Sequence, residues 1–401
     1  MRRRLPPGIR EFLPLEGIGV DMTSLIFWTM AAAVLYTYLG YSLTILLLAQ
    51  LIRRPVRQAP MEPRVTYLIT AYNEERNIRA KLEQVLSLDY PHEKLEIIVA
   101  SDGSTDGTDG IARQFADRGV RLVRVEGRVG KTETQNRAVR EATGEVIIFS
   151  DATTFYERSA IRNIVRNYAD PAVGAVSGRY EYRNPTGASI GFGSILFWKY
   201  ENLIKTLQTR IRTITGCCGC IYSVRRDLYT PLPADIISDL VEPLKILEKG
   251  HRIVFEAEAI AFEETTEKTA EEFNMRVRVV TRGMRGLWYM RKLFNPLRFG
   301  FVSFQLFSHK VLRWLVPLLL IVLFMSNLWL LGSSRFYNVF FVLQLAFYGA
   351  ALLGFMAERM NIGFRLLTIP LYFVTVNMAA VVAVYRLWKG YTAVTWETVR
   401  R

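Results

Sequence analysis

Two aspartates follow short, mostly apolar stretches of the chain, at positions where their carboxylates could bind a ligand. Asp102 comes after residues 95–100 (LEIIVA), and Asp151 comes after residues 145–150 (EVIIFS). Stretches of this length and β-branched content indicate buried strands rather than helices. Ligands of open, mostly parallel α/β sheets bind at the carboxyl ends of the strands. The two aspartates are therefore expected to hold a nucleotide, together with its metal ion.

The elements that must position these aspartates are readable on both sides of them. Residues 65–70 (VTYLIT) predict a third strand, and Lys131 opens a helical segment that leads to the strand before Asp151. From about residue 64 to residue 261 strands and helices alternate, which is typical of a parallel α/β sheet with crossover helices.

Four motifs in this region occur in an order and spacing known from one family: TAYNEE (70–75), ASDGSTDGT (100–108), GKTETQN (130–136) and FSDATT (149–154). They resemble the nucleotide-binding half of family-two glycosyltransferases, in particular membrane-bound bacterial polysaccharide and cell-wall synthases of the cellulose, hyaluronan and poly-N-acetylglucosamine synthase group. The resemblance implies an α/β fold class: a GT-A (Rossmann-like mixed sheet) catalytic domain with N- and C-terminal transmembrane helices.

The resemblance also implies which residues bind the donor. Ala71 and Tyr72 match positions that line the base pocket, and Glu74 lies in the same motif. Asp102 matches the aspartate that contacts the base, and Lys131 matches a basic residue near the nucleotide. The expected donor is a nucleotide-diphosphate sugar, of the uridine class.

A divalent cation is expected at Asp151. The segment Asp151-Ala152-Thr153 occupies the family's Asp-x-Asp position, whose aspartates contact the ribose, the diphosphate and the metal. The predicted ligands of Mg²⁺ or Mn²⁺ are thus Asp151 and Thr153. Thr153 replaces the second aspartate, and a neutral hydroxyl binds such a cation less strongly than a carboxylate does.

Asp239 matches the catalytic base, which removes the proton of the acceptor hydroxyl during attack. The family motif has two acidic residues, and Ser238 occupies the first position. The alternative is that Asp239 only caps the following helix, because Asp is a favoured N-cap residue. Gly216 is expected to allow close approach of the backbone to the substrate, although a tight turn alone would explain this glycine equally well. Glu242 and Glu248 are expected to be solvated charges on a helix face.

Polymer-forming members of the family usually carry Gln-x-x-Arg-Trp beyond the base. The matching positions hold Met275, Arg278 and Val279, so only the arginine is retained. Arg278 is accordingly predicted to lie near the diphosphate. The missing tryptophan weakens the prediction of processive synthesis of a long polymer.

Composition indicates a membrane protein rather than a nucleic-acid-binding one. Half of the 401 residues are hydrophobic, 22% are charged, and the formal net charge is +14. The basic residues cluster beside apolar spans, which favours membrane lipids and phosphorylated substrates over nucleic acid. Cys217, Cys218 and Cys220 have no fourth candidate ligand nearby, which argues against a zinc site.

The predicted organisation has six parts. These are an N-terminal segment (1–23), a transmembrane helix (24–52), a cytosolic GT-A domain (62–272), amphipathic interfacial helices (273–310), about three transmembrane spans (311–388) and a basic tail (389–401). The first apolar segment is longer than the ~20 helical residues that cross a ~30 Å hydrocarbon core. Three spans after the domain would place the C-terminus opposite the domain, whereas the basic residues near the C-terminus favour the same side.

The predicted function is that of an inverting, membrane-bound glycosyltransferase of the hexosyltransferase class. It would transfer a sugar from a nucleotide-diphosphate donor to a lipid-linked or polysaccharide acceptor in surface glycan synthesis at the inner membrane. Two alternatives stay open. One is a processive polysaccharide synthase with a secretion channel, and the other is an inactive nucleotide-sugar-binding scaffold subunit.

Overall fold

A computed structural model describes residues 21–183, 189–265, 268–360, 365–391 and Val394. Residues 1–20 of the predicted N-terminal segment, and most of the basic tail after residue 391, lie outside the described residues. In the remainder a mixed α/β sheet forms the central domain, and long apolar helices flank it in sequence on both sides.

One eight-stranded sheet is built from the described residues, in the order β3-β2-β1-β4-β7-β6-β8-β5. The strands are β1 (Val65–Ala71), β2 (Leu95–Asp102), β3 (Val120–Val125), β4 (Val146–Asp151), β5 (Phe155–Tyr156), β6 (Val173–Arg183), β7 (Tyr222–Arg225) and β8 (Arg252–Glu264). Strands β1 to β4 are mutually parallel, β7 is antiparallel to both β4 and β6, β6 and β8 are parallel, and β5 is antiparallel to β8. The predicted α/β fold class is confirmed.

The described helices of at least six residues are α1 (Met22–Leu51), α2 (Ile78–Leu86), α3 (Thr108–Arg113), α4 (Lys131–Glu141), α5 (Ala160–Val165), α6 (Ser189–Ile211), α7 (Ser238–Glu248), α8 (Thr269–Tyr289), α9 (Phe301–Trp329), α10 (Arg335–Arg359) and α11 (Thr368–Trp388). A single helical turn, Pro296–Phe299, lies between α8 and α9.

Burial of the central strands brings the predicted site residues to one edge of the sheet. Every residue of β1 is buried, as expected for a strand that is covered by helices on both faces. In the register of the sheet Ala71 pairs with Ser101, and Thr70 pairs with Asp151. The loops after β1, β2 and β4 therefore begin side by side.

Four helices in the described part of the chain are long and apolar enough to cross a membrane: α1, α9, α10 and α11. The predicted boundary between interfacial helices and spans, at residues 310 and 311, falls within α9, which is one continuous helix. A π-helical turn, Phe307–Val311, carries His309 and Lys310 inside this helix. These polar residues interrupt the apolar pattern from which the boundary was inferred.

Helix α1 packs antiparallel to α9. Phe27, near its start, packs with Leu323 and Leu330 at the end of α9, whereas Ile45, near its end, packs with Ile204 of α6. Its first half is thus remote from the sheet and its last half adjoins the central domain.

Helix α11 lies against the central domain rather than apart from it. Ala380 and Ala383 pack on Val280 of α8. Farther along the chain, the backbone oxygen of Val394 lies only 2.5 Å from the place that a Cβ on Gly130 would occupy. The last described residue therefore contacts the loop between β3 and α4, at the same edge of the sheet as Asp102.

Candidate active site

The carboxylate of Asp102 holds the loop that precedes α4. Backbone N–H groups of Val129 (2.8 Å) and Gly130 (3.1 Å) and the hydroxyl of Thr134 (3.0 Å) donate to it. The residue is 0% exposed. In this structure the carboxylate therefore faces the loop and not open space, because the turn after β3 supplies the nearer donors. Asp102 therefore stabilises the shape of this loop.

Tyr72 follows β1 and is covered by a residue that sequence reasoning missed. The guanidinium of Arg128 lies over the Tyr72 ring at 4.0 Å from the ring centroid. Arg128 belongs to the loop that Asp102 holds. The hydrogen bonds of Asp102 therefore also help to position Arg128 over the Tyr72 ring. Ala71 is buried at the end of β1 and contributes backbone to the same wall.

Glu74, in the loop after β1, forms hydrogen bonds through both its side chain and its backbone. Its carboxylate accepts from the amide of Asn77 at 2.8 Å, and its backbone N–H donates to the hydroxyl of Thr108 at 2.7 Å. Burial raises the pKa of the Glu74 carboxyl, and the nearby charges of Asp151 and Glu263 raise it further. Three carboxylates thus lie close enough to influence one another.

Asp151 ends β4 in an ion pair with Lys131, the first residue of α4. Burial opposes the charge of Lys131, but the carboxylates of Asp151 and Asp239 outweigh it and raise the pKa of the lysine. The Lys131 ammonium consequently lies within the electrostatic reach of both predicted acidic site residues. The start of α4 and the end of β4 thus bring Lys131 and Asp151 near Asp239, which follows Lys131 by more than a hundred residues in the sequence.

A buried lysine supports the turn after Asp151 from behind. The Lys81 ammonium donates to the hydroxyls of Tyr67 and Ser150, both at 2.9 Å, and to the Thr154 carbonyl. Burial lowers the pKa of Lys81 to about 7. Sequence reasoning missed this residue, because an isolated lysine in an amphipathic helix is usually solvated.

Thr153 hydrogen-bonds a carboxylate that the sequence motifs do not contain. Its hydroxyl donates to Oε1 of Glu263 at 2.6 Å, and Tyr180 donates to Oε2 at 2.5 Å. Pairing of β5 with β8, in the register Phe155 with Phe262, brings Glu263 to this turn. No local sequence signal marks the residue, because only the sheet places it near Asp151.

The residues around Asp151 fit a cation that also binds phosphate oxygens. Among the described residues no group of three or more His, Cys, Asp and Glu side chains is arranged to hold a metal by itself. Magnesium, however, usually uses one or two carboxylates together with waters and substrate phosphates. Asp151 and Glu263, on either side of Thr153, are the carboxylates that could serve as these one or two protein ligands.

Asp239 is the second residue of α7, and the N-cap position is occupied by Ile237. The capping alternative is therefore not met in this structure. Its Oδ1 is buried without a hydrogen-bond partner among the described residues. Gly219 faces the other oxygen, since a Cβ there would lie 2.5 Å from Oδ2. Only a glycine permits this approach without displacing the carboxylate.

The charges around Asp239 suit a proton acceptor. Burial raises the pKa of the Asp239 carboxyl, while Lys131 and Arg282 oppose the rise. A carboxyl with a raised pKa is a stronger base once it is ionised. Asp239 thus has an unpaired oxygen, a raised pKa and cations near enough to stabilise its charged form.

The basic residue of α8 nearest to this site is Arg282, one helical turn beyond the predicted Arg278. The Arg282 guanidinium donates to the Ile236 carbonyl at 2.9 Å and to the Thr132 hydroxyl at 3.2 Å, beside Lys131. Arg278 is half-buried, and its charge is felt by Arg282. Periodicity could have suggested Arg282, because residues four apart share a helix face.

Glu242 is not a solvated helix charge, and that prediction is wrong. It is 0% exposed, and its Oε1 accepts from the backbone N–H of Thr230 at 3.0 Å. Burial raises the pKa of Glu242 to about 8. The loop before α7 folds over this side chain, which the helical pattern alone does not reveal.

Gly216 is buried beside α9 at the base of the site. A Cβ on Gly216 would come within 3.2 Å of Leu240 and 4.0 Å of the Lys310 ammonium. The three cysteines that follow this glycine are unbridged, and two of them, Cys218 and Cys220, are buried. The expectation of small, reduced residues in a loop agrees with this environment.

Comparison with known proteins identifies the central domain. Residues 66–230 match the model of the family described as Glycosyl transferase family 2. The family resemblance predicted from the four motifs is confirmed.

Curated relatives of the chain include poly-beta-1,6-N-acetyl-D-glucosamine synthases of staphylococci. The protein of Staphylococcus aureus (strain COL) is 27% identical over 244 residues, which cover 58% of this chain and 57% of that protein. The Staphylococcus epidermidis protein is 29% identical over 162 residues, or 40% of this chain and 38% of that one. The chain thus matches little more than half the length of the first relative and less than half the length of the second.

Among solved structures, the mannosyltransferase PcManGT from Pyrobaculum calidifontis in complex with GDP-Man and Mn²⁺ has the same fold. It superposes with a TM-score of 0.70 and 22% identity, over 92% of this chain and 100% of that one. The predicted GT-A fold is confirmed, and the likeness extends beyond the family-two domain to the flanking helices.

Proposed function

We propose that the protein is an inverting glycosyltransferase that transfers a sugar from a nucleotide-diphosphate donor to an acceptor at the membrane. The observation that carries the proposal is the arrangement around Lys131. This ammonium pairs with Asp151 at the end of β4 and lies within the electrostatic reach of Asp239, whose Oδ1 has no partner among the described residues. A donor site and a proton acceptor are therefore adjacent.

The reaction follows from these positions. The acceptor oxygen attacks the anomeric carbon of the donor sugar, and its proton passes to Asp239. The bond between the anomeric carbon and the diphosphate oxygen breaks, and the nucleoside diphosphate leaves with the electron pair. Lys131 and Arg282 are suited to stabilise the negative charge that develops on the leaving diphosphate.

A divalent cation would be held by Asp151 and Glu263, with Thr153 between them. It would neutralise diphosphate charge when bound. Mn²⁺-dependent quenching of the protein's tryptophan fluorescence in the presence of nucleotide should weaken in Glu263→Gln and in Asp151→Asn. Unaltered metal binding in both variants would show that the cation, if used, lies elsewhere.

The test of the activity uses the purified full chain in lipid nanodiscs. A panel of radiolabelled nucleotide sugars, UDP-sugars first, is supplied with a membrane lipid extract, and label is then counted in lipid and polymer fractions. Transfer by the wild-type protein, with inverted anomeric configuration in the product, is the expected result. Nucleotide-sugar binding without transfer in any fraction would favour the scaffold alternative.

The expected product is one or a few sugars on a lipid-linked acceptor in surface glycan synthesis. Polar side chains of the apolar helices find partners within the protein: the amides of Asn327 in α9 and Gln344 in α10 are 2.9 Å apart, and that of Asn377 in α11 donates to a backbone carbonyl. A polysaccharide channel would need such groups for sugar hydroxyls.

A processive synthase is the second candidate, because the staphylococcal relatives are polymer synthases by name. A high-molecular-weight product from a single nucleotide sugar, removed by a specific glycan hydrolase, would establish it. Short, discrete products on a sizing gel would exclude it.

The topology proposed for the membrane has three crossings, α1, α9 and α10, with α11 at the cytosolic interface. The support is the packing of α11 on α8 and the contact of Val394 with Gly130. This arrangement puts the catalytic domain and the C-terminus on one side, as the basic residues there favour. Cysteines introduced at residue 334 and at residue 398 should label from opposite sides of sealed vesicles.

A further inference from the structure

Two lysines near Asp239 have no role in the donor site described above. Lys205 lies on α6 and Lys310 in the π-helical turn of α9, on either side of the loop that holds Gly216. The charge of Lys205 acts on the Cys217 thiol, and that of Lys310 acts on Asp239. The two ammonium groups also repel each other. Glu201 and Gln208 of α6, on either side of Lys205, both contact His309, and the Lys310 ammonium lies 4.0 Å from the place of a Cβ on Gly216. The two lysines therefore form a cationic patch beside the loop that leads to Asp239.

Neither ammonium forms a hydrogen bond or an ion pair with the described residues. Lys205 is only 6% exposed, and its ammonium lies 5.4 Å from the Trp198 ring centroid and 5.8 Å from that of Phe255. A buried cation without a counter-charge is costly unless something else supplies the charge. Aromatic faces compensate for only part of that cost.

The carboxylate nearest to this patch in sequence is already engaged. Glu201, one turn before Lys205, accepts from Arg313 and is 3.2 Å from the His309 ring nitrogen. The remaining carboxylates near Asp239 belong to the Lys131–Asp151 pair. Glu201 and Asp239 also attract Lys310. Glu201 is shared with Arg313, however, and Asp239 also faces Lys131 and Arg282, so the patch keeps a net positive charge among the described residues.

The position of the patch indicates where the missing anion comes from. Lys310 belongs to a helix that is apolar enough to span a membrane, six residues after Phe304, which packs against α1. Its π-helical turn is a local feature that often marks functional sites. The patch thus lies where the central domain meets the apolar helices.

We propose that Lys205 and Lys310 bind the phosphate of a lipid acceptor, and so present its hydroxyl or its terminal sugar to Asp239. The inference rests on the proposed transfer reaction and specifies the acceptor class. An isoprenoid phosphate and a phospholipid headgroup offer the same chemistry to the two ammonium groups. A neutral, water-soluble glycan offers none.

The test measures binding of farnesyl phosphate, farnesol and a short-chain phosphatidic acid to the full chain in neutral detergent, by microscale thermophoresis. Wild-type protein should prefer farnesyl phosphate to farnesol by about tenfold or more, as for a charge-assisted contact. The double variant Lys205→Gln/Lys310→Gln should lose this preference. Lys199→Gln, which removes an exposed charge from the same helix, should retain it.

Binding of UDP and GDP is measured on the same samples and separates this proposal from the catalytic one. Retained nucleotide binding in the double variant shows an intact fold and donor site. If that variant does not bind nucleotide, the single Lys→Gln variants and the charge-conserving Lys205→Arg take its place. If the wild-type protein binds neither UDP nor GDP, this result counts against the proposed enzyme and not against the lipid site.

The lipid arms distinguish the two sources of phosphate. Tighter binding of farnesyl phosphate assigns the patch to an isoprenoid-linked acceptor, and equal or tighter binding of phosphatidic acid assigns it to a phospholipid. Equal affinity of the wild-type protein for farnesyl phosphate and farnesol would overturn the proposal. A phosphate preference that persists in the double variant would overturn it as well.

Discussion

The donor side and the acceptor side of the site differ in how their charges are paired. On the donor side, Asp102 accepts three hydrogen bonds from Val129, Gly130 and Thr134 and one more from Gly130 through its second oxygen, and Asp151 pairs with Lys131. On the acceptor side, Asp239 has an unpaired oxygen, and Lys205 and Lys310 pair with no described residue.

This difference distinguishes charged residues that stabilise the fold from charged residues that are available to bind a substrate. Charges with internal partners hold loops in shape whether or not a substrate is present, because each buried group is already satisfied. Charges without partners add to the cost of the folded state until a ligand meets them. Substitutions that remove one member of an internal pair on the donor side are therefore expected to disturb the local structure. Substitutions of the unpaired charges on the acceptor side are expected to change substrate binding or transfer directly.

The largest effect is expected at the unpaired carboxylate. Asp239→Asn should lower the rate of transfer by about 10²- to 10⁴-fold, because the amide cannot accept the proton. Nucleotide binding should be nearly unchanged, since Asp239 lies across Lys131 from the donor. The measurement pairs a radiolabel transfer assay with a nucleotide titration.

Asp235→Asn is the matched control for this variant. Asp235 lies four residues earlier, and its charge is committed to Arg285. It should retain most of the wild-type rate. Because the pKa of Asp239 is raised and the base must be ionised, the wild-type rate should fall as the pH is lowered toward that pKa. A rate above a tenth of wild type in Asp239→Asn would refute the role.

The next effect is expected at the Lys131–Asp151 pair. Asp151→Ala should weaken nucleotide binding by about tenfold to about hundredfold, because it removes a charged ligand and leaves the lysine without its partner. Asp89→Ala, at an exposed ion pair with Arg162, serves as the control. Equal nucleotide affinities of the two variants, measured by calorimetry, would contradict the placement of the donor.

Lys81 tests whether the donor turn depends on support from behind. Lys81→Met keeps a similar volume but leaves the hydroxyls of Tyr67 and Ser150 without their donor, so it should cost about 1–3 kcal/mol of stability. The pKa of Lys81 is lowered to about 7 in the folded state, against about 10.4 in the unfolded state.

The sign of the pH effect follows from these two values. The lysine binds more proton in the unfolded than in the folded state between about pH 7 and about pH 10.4, so wild-type stability gains with rising pH in that window. The variant should lack this gain. Thermal unfolding followed by intrinsic fluorescence across the window measures it, and parallel curves for the two proteins would disprove it.

The smallest effect is expected at Glu242, which is buried but lies outside the charged centre. Its pKa is raised to about 8, above the ordinary value of about 4.3. Its contribution to stability is present at low pH and is lost as the pH rises through about 8. Glu242→Gln should therefore leave transfer nearly unchanged and flatten this decline in melting temperature. An unchanged decline would assign the pH dependence to another group.

Sequence reasoning located the donor side better than the acceptor side. Asp102 and Asp151 end β2 and β4, the two parallel strands that flank β1, and their local patterns of apolar residues and turn residues were sufficient to predict one sheet edge. The supporting lysine, Lys81, was missed because its helix reads as amphipathic. Burial of Glu242 and the contact of Glu263 with Thr153 were missed because the partners are distant in sequence.

What the sequence determined by itself is therefore the family, the α/β fold and the residues whose chemistry is local to strand ends. Period-two and helical patterns, together with turn residues, act over a few positions and can be read along the chain. Only the tertiary structure decided which charges are paired. Pairing of β5 with β8 brings Glu263 to the metal position, and packing of α6 against α9 brings Lys205 and Lys310 together. Such contacts depend on how separate elements pack, and no single segment encodes them.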